Sequence, residues 1–269
     1  MPPPRRFAGV LVSSRVPWRT RAGLLAAEGR RRLRPRTTYR VRYGGGSLFL
    51  SHDDYEIDWE TFKNVLVDEP YLADYDGAVV LDVGAHKGYF GAYALTRGAQ
   101  AVVSYEPEDA NAVLLARSAA TFGERWQLVK AAVSAGAGEA ELHVMSASWG
   151  HALHPPRAFA EYETGVERVS VLAMRDVLRQ AAEAPCAARL VVKINTEGEE
   201  CETVLGTPAA EWKVVDELLV ETHPWAACGP DELAAYLEPA GLTRIQSRHE
   251  RMLQLRRDAP GSGLRTDPM

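Results

Sequence analysis

The sequence predicts an α/β fold built on a mostly parallel, doubly wound β-sheet with an N-terminal extension. From residue 77 onward, short apolar runs typical of strands alternate with segments of helical periodicity. The first two runs, Ala78–Val83 and Ala101–Tyr105, are apolar almost throughout, which is typical of strands buried on both faces of a sheet. A turn containing two glycines, Gly84–Gly88, follows the first run, where folds of this class bind ligands.

The other elements follow from the same two patterns, continuous or alternating apolar runs for strands and apolar spacing of three and four for helices. The predicted strands are Ala78–Val83, Ala101–Tyr105, Trp126–Val133, Val169–Leu172, Leu190–Asn195, Val215–Glu221, Leu242–Ile245 and Met252–Arg256. The predicted helices between them are Tyr89–Arg97, Ala110–Thr121, Met174–Ala182, Glu199–Leu205 and Asp231–Ala240. We expect Glu139–Met145 to pair with the third strand as a hairpin, because small and glycine residues separate the two.

The N-terminal part has a different pattern. Trp18–Leu33 is predicted as an amphipathic helix, Tyr39–Tyr43 and Ser47–Ser51 as a hairpin across three glycines, and Trp59–Leu66 as a helix. The predicted division is an arm and lid over residues 1–76, one catalytic domain over 77–258, and a flexible tail over 259–269.

Composition and charge limit the function classes. The 269 residues are 46% apolar, which suits a packed core and excludes a disordered or collagen-like chain. The net charge of −5 divides into +11 over residues 1–42 and −16 over the rest. A basic arm of this kind can bind nucleic acid, an anionic membrane or the acidic body of the protein itself. With few aromatic residues in the arm, we expect packing on the body and consider nucleic acid unlikely.

Two further observations concern the cellular setting. The apolar runs are shorter than the roughly 18–20 residues needed to cross a bilayer, so no membrane association is predicted. The cysteines Cys186, Cys201 and Cys228 form no C-x-x-C pair and fit a reducing, cytoplasmic compartment.

The glycine turn and an acid after it predict a nucleoside site. Glu106 lies 22 residues beyond Gly84 at the end of the second strand, the offset of a carboxylate that binds a ribose diol. A dinucleotide motif needs a second glycine where this chain has His86, and the spacing to Gly88 is also shorter than that motif requires. S-adenosylmethionine carries no phosphate and tolerates this turn, so it is the predicted cofactor; a turn with glycines needed only for packing is the alternative. The predicted cofactor-binding residues are Asp82, Gly84, Ala85, His86, Gly88, Glu106, Pro107 and Ala131.

The sequence resembles the FkbM-type SAM-dependent methyltransferases over about residues 77–223. The resemblance rests on Leu81–Phe90, Tyr105–Pro107, Ala131–Ser134, Leu190–Glu200, Val204–Gly206 and Glu221–His223. It implies a Rossmann-like class I methyltransferase fold and O-methylation of a hydroxyl on a secondary metabolite or sugar. In one motif the family usually has Lys-Ile-Asp where this chain has Lys193-Ile194-Asn195, so an amide replaces a carboxylate.

The strand ends supply the predicted catalytic groups. They are Lys193, Asn195, Glu197 and His223, with His151 in the loop after residue 145 as a further candidate. We expect Glu197 or His223 to act as general base and Lys193 to pair with Glu221. No metal is predicted, since neighbouring acids such as Glu199 and Glu200 are more typical of a solvated helix face.

The prediction is a biosynthetic tailoring enzyme that methylates a small hydroxylated acceptor. One alternative is a catalytically silent SAM-binding module that docks a partner through the arginine-rich arm. Another is a nucleic-acid methyltransferase guided by that arm. Association into a homodimer is left open.

Overall fold

A computed structural model describes residues 5–33, 37–183, 189–247 and 249–257 of the chain. The strands are β1 (Thr38–Tyr43), β2 (Gly46–Ser51), β3 (Val79–Val83), β4 (Ala101–Tyr105), β5 (Trp126–Val129), β6 (Ala132–Ser134), β7 (Gly138–Met145), β8 (Glu163–Ala173), β9 (Leu190–Ile194), β10 (Glu217–Glu221), β11 (Leu242–Ile245) and β12 (Met252–Arg257). The helices are α1 (Arg5–Val12), α2 (Trp18–Leu33), α3 (Tyr55–Lys63), α4 (Tyr89–Thr96), α5 (Asp109–Ala120), α6 (Met174–Ala182), α7 (Glu200–Leu205) and α8 (Pro230–Leu237), and a π-helical turn, Asn64–Asp68, continues α3. None of the described helices is long and apolar enough to cross a membrane. The tail predicted over 259–269 lies outside the described residues.

A seven-stranded sheet forms the centre of the molecule, in the order β11-β12-β10-β9-β3-β4-β5. Strands β5, β4, β3, β9 and β10 are parallel, and β12 runs antiparallel between β10 and β11. The chain builds outward from β3 to β5 and then returns to β9 on the other side of β3, so the topological switch point lies between β3 and β9. The predicted α/β fold with a mostly parallel, doubly wound sheet is confirmed.

Both faces of this sheet are buried, because successive residues of its strands enter different apolar cores. Val80 and Val191 pack with α4 and α5 on one face. Leu81 and Val192 pack with α6 and α8 on the other. Burial on both faces explains why these strands have continuous apolar sequences.

The prediction for the middle of the chain was wrong in two respects. Trp126–Val133 is two strands: β5 belongs to the large sheet and β6 to a separate three-stranded sheet. Furthermore, β7 pairs with β8 and forms no hairpin with β6; β8 lies between the two. The eleven-residue β8 pairs along almost the whole of β7, but its exposed first half carries no apolar signal from which it could be predicted.

The N-terminal extension shares the first of the two cores. Leu24 and Ala27 of α2 are buried, and Tyr39 of the predicted hairpin packs edge-on against Tyr55 of α3. The predicted helix over 18–33 and the hairpin both form. Some arginines of α2 also contact the protein itself, since Arg31 lies 4.8 Å from the centre of the Tyr55 ring and donates to Glu28.

A buried cation joins this extension to the sheet. The Lys87 ammonium, 2% exposed, lies 2.9 Å from Asp54 Oδ2 and 2.7 Å from Asp58 Oδ1, on either side of the α3 N-terminus. It also donates to Ser148 Oγ at 3.1 Å, in the loop after β7. One side chain of the glycine turn therefore fixes two segments that are distant in sequence.

No disulfide was expected among the cysteines, and the structure contains one. Cys201 of α7 and Cys228, 27 residues later, are joined by a disulfide. A disulfide is typical of an oxidising environment or of a bond that responds to redox conditions, and the expectation of thiols in a reducing compartment does not hold for this pair. Cys186 lies outside the described residues.

Replacing Lys87 with Met should lower the free energy of unfolding by about 3 kcal/mol, because it leaves Asp58 as a buried carboxylate without its cation. Burial already raises the pKa of Asp58, so proton uptake should reduce this cost at acid pH. Urea denaturation of the wild type and variant at pH 5 and pH 8 measures both effects.

Lys63→Met is the matched control, since Lys63 forms an exposed ion pair with Asp68 that should contribute less than about 1 kcal/mol. Equal losses in the two variants would contradict the role assigned to Lys87.

Candidate functional site

A cavity of about 290 Å³ lies at the carboxyl ends of the parallel strands, beside the switch point. Its walls come from the turn after β3, the ends of β4, β9 and β10, and the loop after β7. The N-terminal extension closes another side with Tyr71 and the polar face of α3 and its π-helical turn, including Glu60 and Asn64. We call this space the first cavity.

The glycine turn brings β3 and β9 very close together. Gly84 has a φ of 74°, and a Cβ atom there would lie 1.7 Å from the Asn195 carbonyl oxygen, so only glycine fits. Gly88 has a different role: it lies away from the first cavity, and a Cβ would meet the Trp126 ring at 2.7 Å. Gly88 also has a left-handed φ of 88°, so both its backbone conformation and its contact with Trp126 require glycine.

Glu106 faces the first cavity from the end of β4. Its Oε2 accepts a hydrogen bond from the His86 backbone N–H at 2.7 Å, and its Oε1 accepts one from the Glu108 N–H at 3.0 Å. Burial raises the pKa of Glu106 to about 8, although these two N–H groups favour the charged form. The carboxyl is held rigidly and keeps acceptor capacity for a ligand, as a nucleoside site requires.

Lys193 pairs with Asp82, so the expected pairing with Glu221 was wrong. The Lys193 Nζ lies 3.0 Å from Asp82 Oδ1 and 2.7 Å from the Gly84 carbonyl oxygen. Asp82 is fully buried and lies away from the first cavity, where it also accepts from Ser104. The Lys193–Asp82 ion pair therefore holds the glycine turn in position through the Lys193 hydrogen bond to Gly84, and Lys193 itself lines the first cavity.

Asn195 and Tyr71 both hold Glu221. The Asn195 Nδ2 donates to Glu221 Oε2 at 2.9 Å, and the Tyr71 hydroxyl donates to the same oxygen at 2.5 Å. All three side chains line the first cavity. An aspartate at position 195 would put a second carboxylate against Glu221, so the amide is the residue type that this arrangement accommodates.

His223 lies between two carboxylates. Its Nδ1 donates to Glu200 Oε1 at 2.9 Å, and its Nε2 is 3.4 Å from Glu197 Oε2. Burial opposes the charge, but the two glutamates outweigh it and raise the pKa of His223 to about 10. At neutral pH both ring nitrogens therefore carry protons, so His223 orients Glu197 and has no free site to act as a base.

Glu197 has the properties expected of a base. Burial raises the pKa of Glu197 above its usual range, and the interaction with His223 opposes this shift only in part. Its backbone φ of 54° is left-handed, a strained conformation for a residue other than glycine. Such strain is common where a side chain must point into a site.

The tautomer of His151 follows from one hydrogen bond. The Met145 backbone N–H donates to His151 Nδ1 at 2.9 Å, and burial lowers the pKa of His151 to about 4. The neutral ring therefore carries its proton on Nε2 and can donate but cannot accept there. This geometry favours a hydrogen-bond donor over a proton acceptor.

Several buried polar atoms of residues that line the first cavity have no hydrogen-bond partner among the described residues, including Asn111 Oδ1, Asn195 Oδ1 and His86 Nδ1. A buried polar atom without a partner is costly, and a bound ligand is one way to satisfy it. Within the described ranges, no three His, Cys, Asp or Glu side chains are grouped so as to hold a metal ion.

The structure brings most of the predicted residues to one place. The first cavity is lined by Gly84, Ala85, His86, Glu106, Pro107, Ala131, His151, Lys193, Asn195 and Glu197. Asp82 and Gly88 do not line the first cavity, and His223 lines a second, neighbouring cavity. Sequence reasoning missed Tyr71 and Asn111, because a lone tyrosine in a connecting segment and an asparagine within an Ala-rich helix carry no recognisable motif.

Comparisons with known proteins give similarity of fold only. No protein-family model and no curated protein matches the chain. Among solved structures, the chain is similar to a magnesium protoporphyrin IX methyltransferase from Synechocystis PCC 6803 with bound SAH (10% identity, TM-score 0.41, covering 77% of this chain and 86% of that one). It is also similar to a SAM-dependent methyltransferase from Agrobacterium tumefaciens (9%, TM-score 0.40, 83% and 70%). A third is a ribosomal protein L11 methylase from Lactobacillus delbrueckii subsp. bulgaricus (13%, TM-score 0.35, 77% and 81%).

Two further similar structures are named as candidate RNA methyltransferases. At these identities and TM-scores the similarity carries no inference about activity or acceptor. Both must come from the residues of this chain.

The His223 charge should make stability depend on pH in a defined direction. Because the folded-state pKa of about 10 lies above the ordinary value of 6.5, this histidine stabilises the fold fully below about pH 6.5 and loses that effect as the pH rises to 10. The difference in unfolding free energy between the wild type and His223→Gln should therefore shrink over that range.

Denaturation at several pH values measures this difference, and ¹⁵N NMR titration of the ring reads the pKa directly. His143→Gln is a control, since His143 pairs with a single glutamate, Glu163, at the surface. A His223 ring that loses its proton near pH 6.5 would refute the assignment.

Proposed function

We propose that the chain is a SAM-dependent methyltransferase that methylates a hydroxyl group of a small molecule. The observation that carries this proposal is Glu106, whose rigidly held carboxyl faces the first cavity. In the turn after β3, His86 stands where a dinucleotide-binding motif has its second glycine. A carboxylate at this position suits a ribose diol. The His86 side chain replaces the glycine that would let a pyrophosphate approach the backbone. Membership of the FkbM family, a biosynthetic tailoring role and a cytoplasmic location remain predictions from the sequence.

The residues of the first cavity fit this cofactor. Glu106 would accept hydrogen bonds from the ribose hydroxyls of the cofactor. The unpartnered oxygens of Asn111 and Asn195 would accept hydrogen bonds from the cofactor's amino groups. The Glu221 carboxylate adds negative charge suited to a cationic ligand.

The bound cofactor supplies a methyl group already activated by a sulfonium charge. The protein then has two tasks, which are to align an acceptor hydroxyl and to take its proton. Glu197 is the group placed for the second task, because it lines the first cavity and burial raises its pKa above that of an ordinary glutamate, which makes it a stronger base. His223 fixes its orientation, and Glu200 in turn fixes His223.

The departure from the family motif at Asn195 is compatible with activity. Asn195 donates to Glu221, so its role is to position a carboxylate next to the reacting region. A proton acceptor at position 195 is unnecessary when Glu197 lies on the same cavity wall.

At pH 9, where the Glu106 carboxyl is charged because its pKa is about 8, Glu106→Gln should weaken cofactor binding by about 10- to 100-fold, since it removes the charged acceptor for the ribose. Isothermal titration calorimetry with S-adenosylhomocysteine measures this, with Glu141→Gln on the exposed face of β7 as control. Wild-type affinity should also rise from pH 7 to pH 9 as the Glu106 carboxyl, whose pKa is about 8, becomes charged. The Gln variant should lack that rise. No binding by the wild type would refute the proposed cofactor.

Glu197→Gln should lower methyl transfer to hydroxylated acceptors by about 10²-fold or more while leaving S-adenosylhomocysteine affinity within a few-fold of the wild type. Transfer of a labelled methyl group to a panel of phenols and sugars measures the rate. Glu202→Gln is the control, because Glu202 lies on the exposed face of α7 and lines neither cavity. Cofactor binding without turnover on any acceptor would favour the silent binding module.

A further inference from the structure

A second cavity of about 630 Å³ adjoins the first. The two share Trp149, Ala152, Glu197 and Glu221 as lining residues, so the proposed base lies on the boundary between them. A molecule in the second cavity therefore lies against Glu197 in a space that Glu106 does not line.

Aromatic rings dominate the walls of this second cavity. Phe159 packs edge-on against Trp225 with 5.1 Å between ring centres, and Trp225 lies 4.8 Å from the His223 ring. Trp149 and Tyr162 also line the cavity, and about half of each side chain is exposed. Rings arranged around a space of this size are suited to a planar aromatic ligand.

The charged groups of the second cavity decide which aromatic ligand fits. The carboxylates already have partners, because Glu197 faces His223 and Glu221 accepts from Asn195 and Tyr71. Arg251 also lines the cavity, and its guanidinium has no hydrogen bond or ion pair within the described part of the chain. Arg251 is an exposed residue hydrated by solvent, and among the charged groups of the second cavity it is the one whose ion pairing is open to an anionic group on a ligand.

We propose that the second cavity binds the methyl acceptor and that this acceptor is a planar aromatic hydroxy acid. Its ring lies among Trp149, Phe159 and Trp225, its acidic group pairs with Arg251, and its hydroxyl reaches Glu197. The proposal rests on the proposed methyltransferase function and specifies its substrate class.

Methyl transfer at this site involves only the acceptor hydroxyl, the methyl donor and Glu197. The acceptor oxygen forms a bond to the methyl carbon, the carbon–sulfur bond breaks, and its electron pair stays on sulfur, which becomes a neutral thioether. The hydroxyl proton passes to Glu197 and then to solvent. The methyl donor is a sulfonium compound, and neither an oxidant nor a metal is required.

The experiment compares two probes that differ only in charge, 4-hydroxycinnamate and 4-hydroxycinnamamide. Calorimetric titrations use the full chain saturated with S-adenosylhomocysteine, so acceptor binding is read without turnover. The wild type should bind the acid about fivefold or more tightly than the amide, and salt should reduce this preference. Arg251→Met should abolish the preference, and Arg251→Lys should retain part of it. Arg244→Met, an exposed arginine that lines neither cavity, should leave it unchanged.

A second variant tests the aromatic wall. Phe159→Leu keeps an apolar side chain but removes the ring, and it should weaken both probes equally while the preference for the acid remains.

The remaining outcomes distinguish failure of the proposed function from failure of the proposed acceptor class. Failure to bind S-adenosylhomocysteine refutes the proposed function itself. Binding of S-adenosylhomocysteine together with equal affinities for acid and amide, or an unchanged preference in Arg251→Met, overturns the acceptor class alone. Tighter binding of the cationic probe tyramine than of the acid, or no binding of any aromatic probe, overturns it as well.

Discussion

The ammonium group of Lys87 touches Asp54, Asp58 and Ser148, which belong to the N-terminal extension and to the loop after β7. A buried cation is tolerated only when charged partners surround it, so this contact requires all three segments to be in place. Ser148 Oγ also lies 2.9 Å from His86 Nε2, which ties the next residue of the turn to the same loop. The walls of the first cavity are therefore linked through two adjacent residues of the glycine turn, His86 and Lys87.

The same rule, that buried charges are paired, organises the rest of the site. Asp82 neutralises Lys193 beneath the turn, and Glu197 and Glu200 hold His223 beyond it. Asn195 supplies an N–H group to Glu221, where a carboxylate would repel it. Glu106 lines the first cavity with acceptor capacity left for a ligand, and the exposed Arg251 lines the second without a partner among the described residues. This division is the physical basis for assigning the cofactor to the first cavity and the acceptor to the second.

Local strain marks the same region. His86 and Glu197 both have left-handed backbone conformations, which residues other than glycine rarely adopt. One follows β3 and the other follows β9, so they lie on the two sides of the switch point. The surrounding hydrogen bonds hold them there, and both side chains face the first cavity.

The sequence by itself determined the parts of this protein that depend on local pattern. Continuous apolar runs identified the central strands, because strands buried on both faces have no polar alternation, and the offset of Glu106 from Gly84 predicted a nucleoside site. The exposed half of β8 could not be found in this way, since solvent-facing residues carry no apolar signal. The partners of Lys193, the protonation of His223 and the tautomer of His151 were decided only by the tertiary structure. The first two depend on atoms that are distant in sequence, and the third depends on how the loop after β7 folds back on Met145, which no local pattern records.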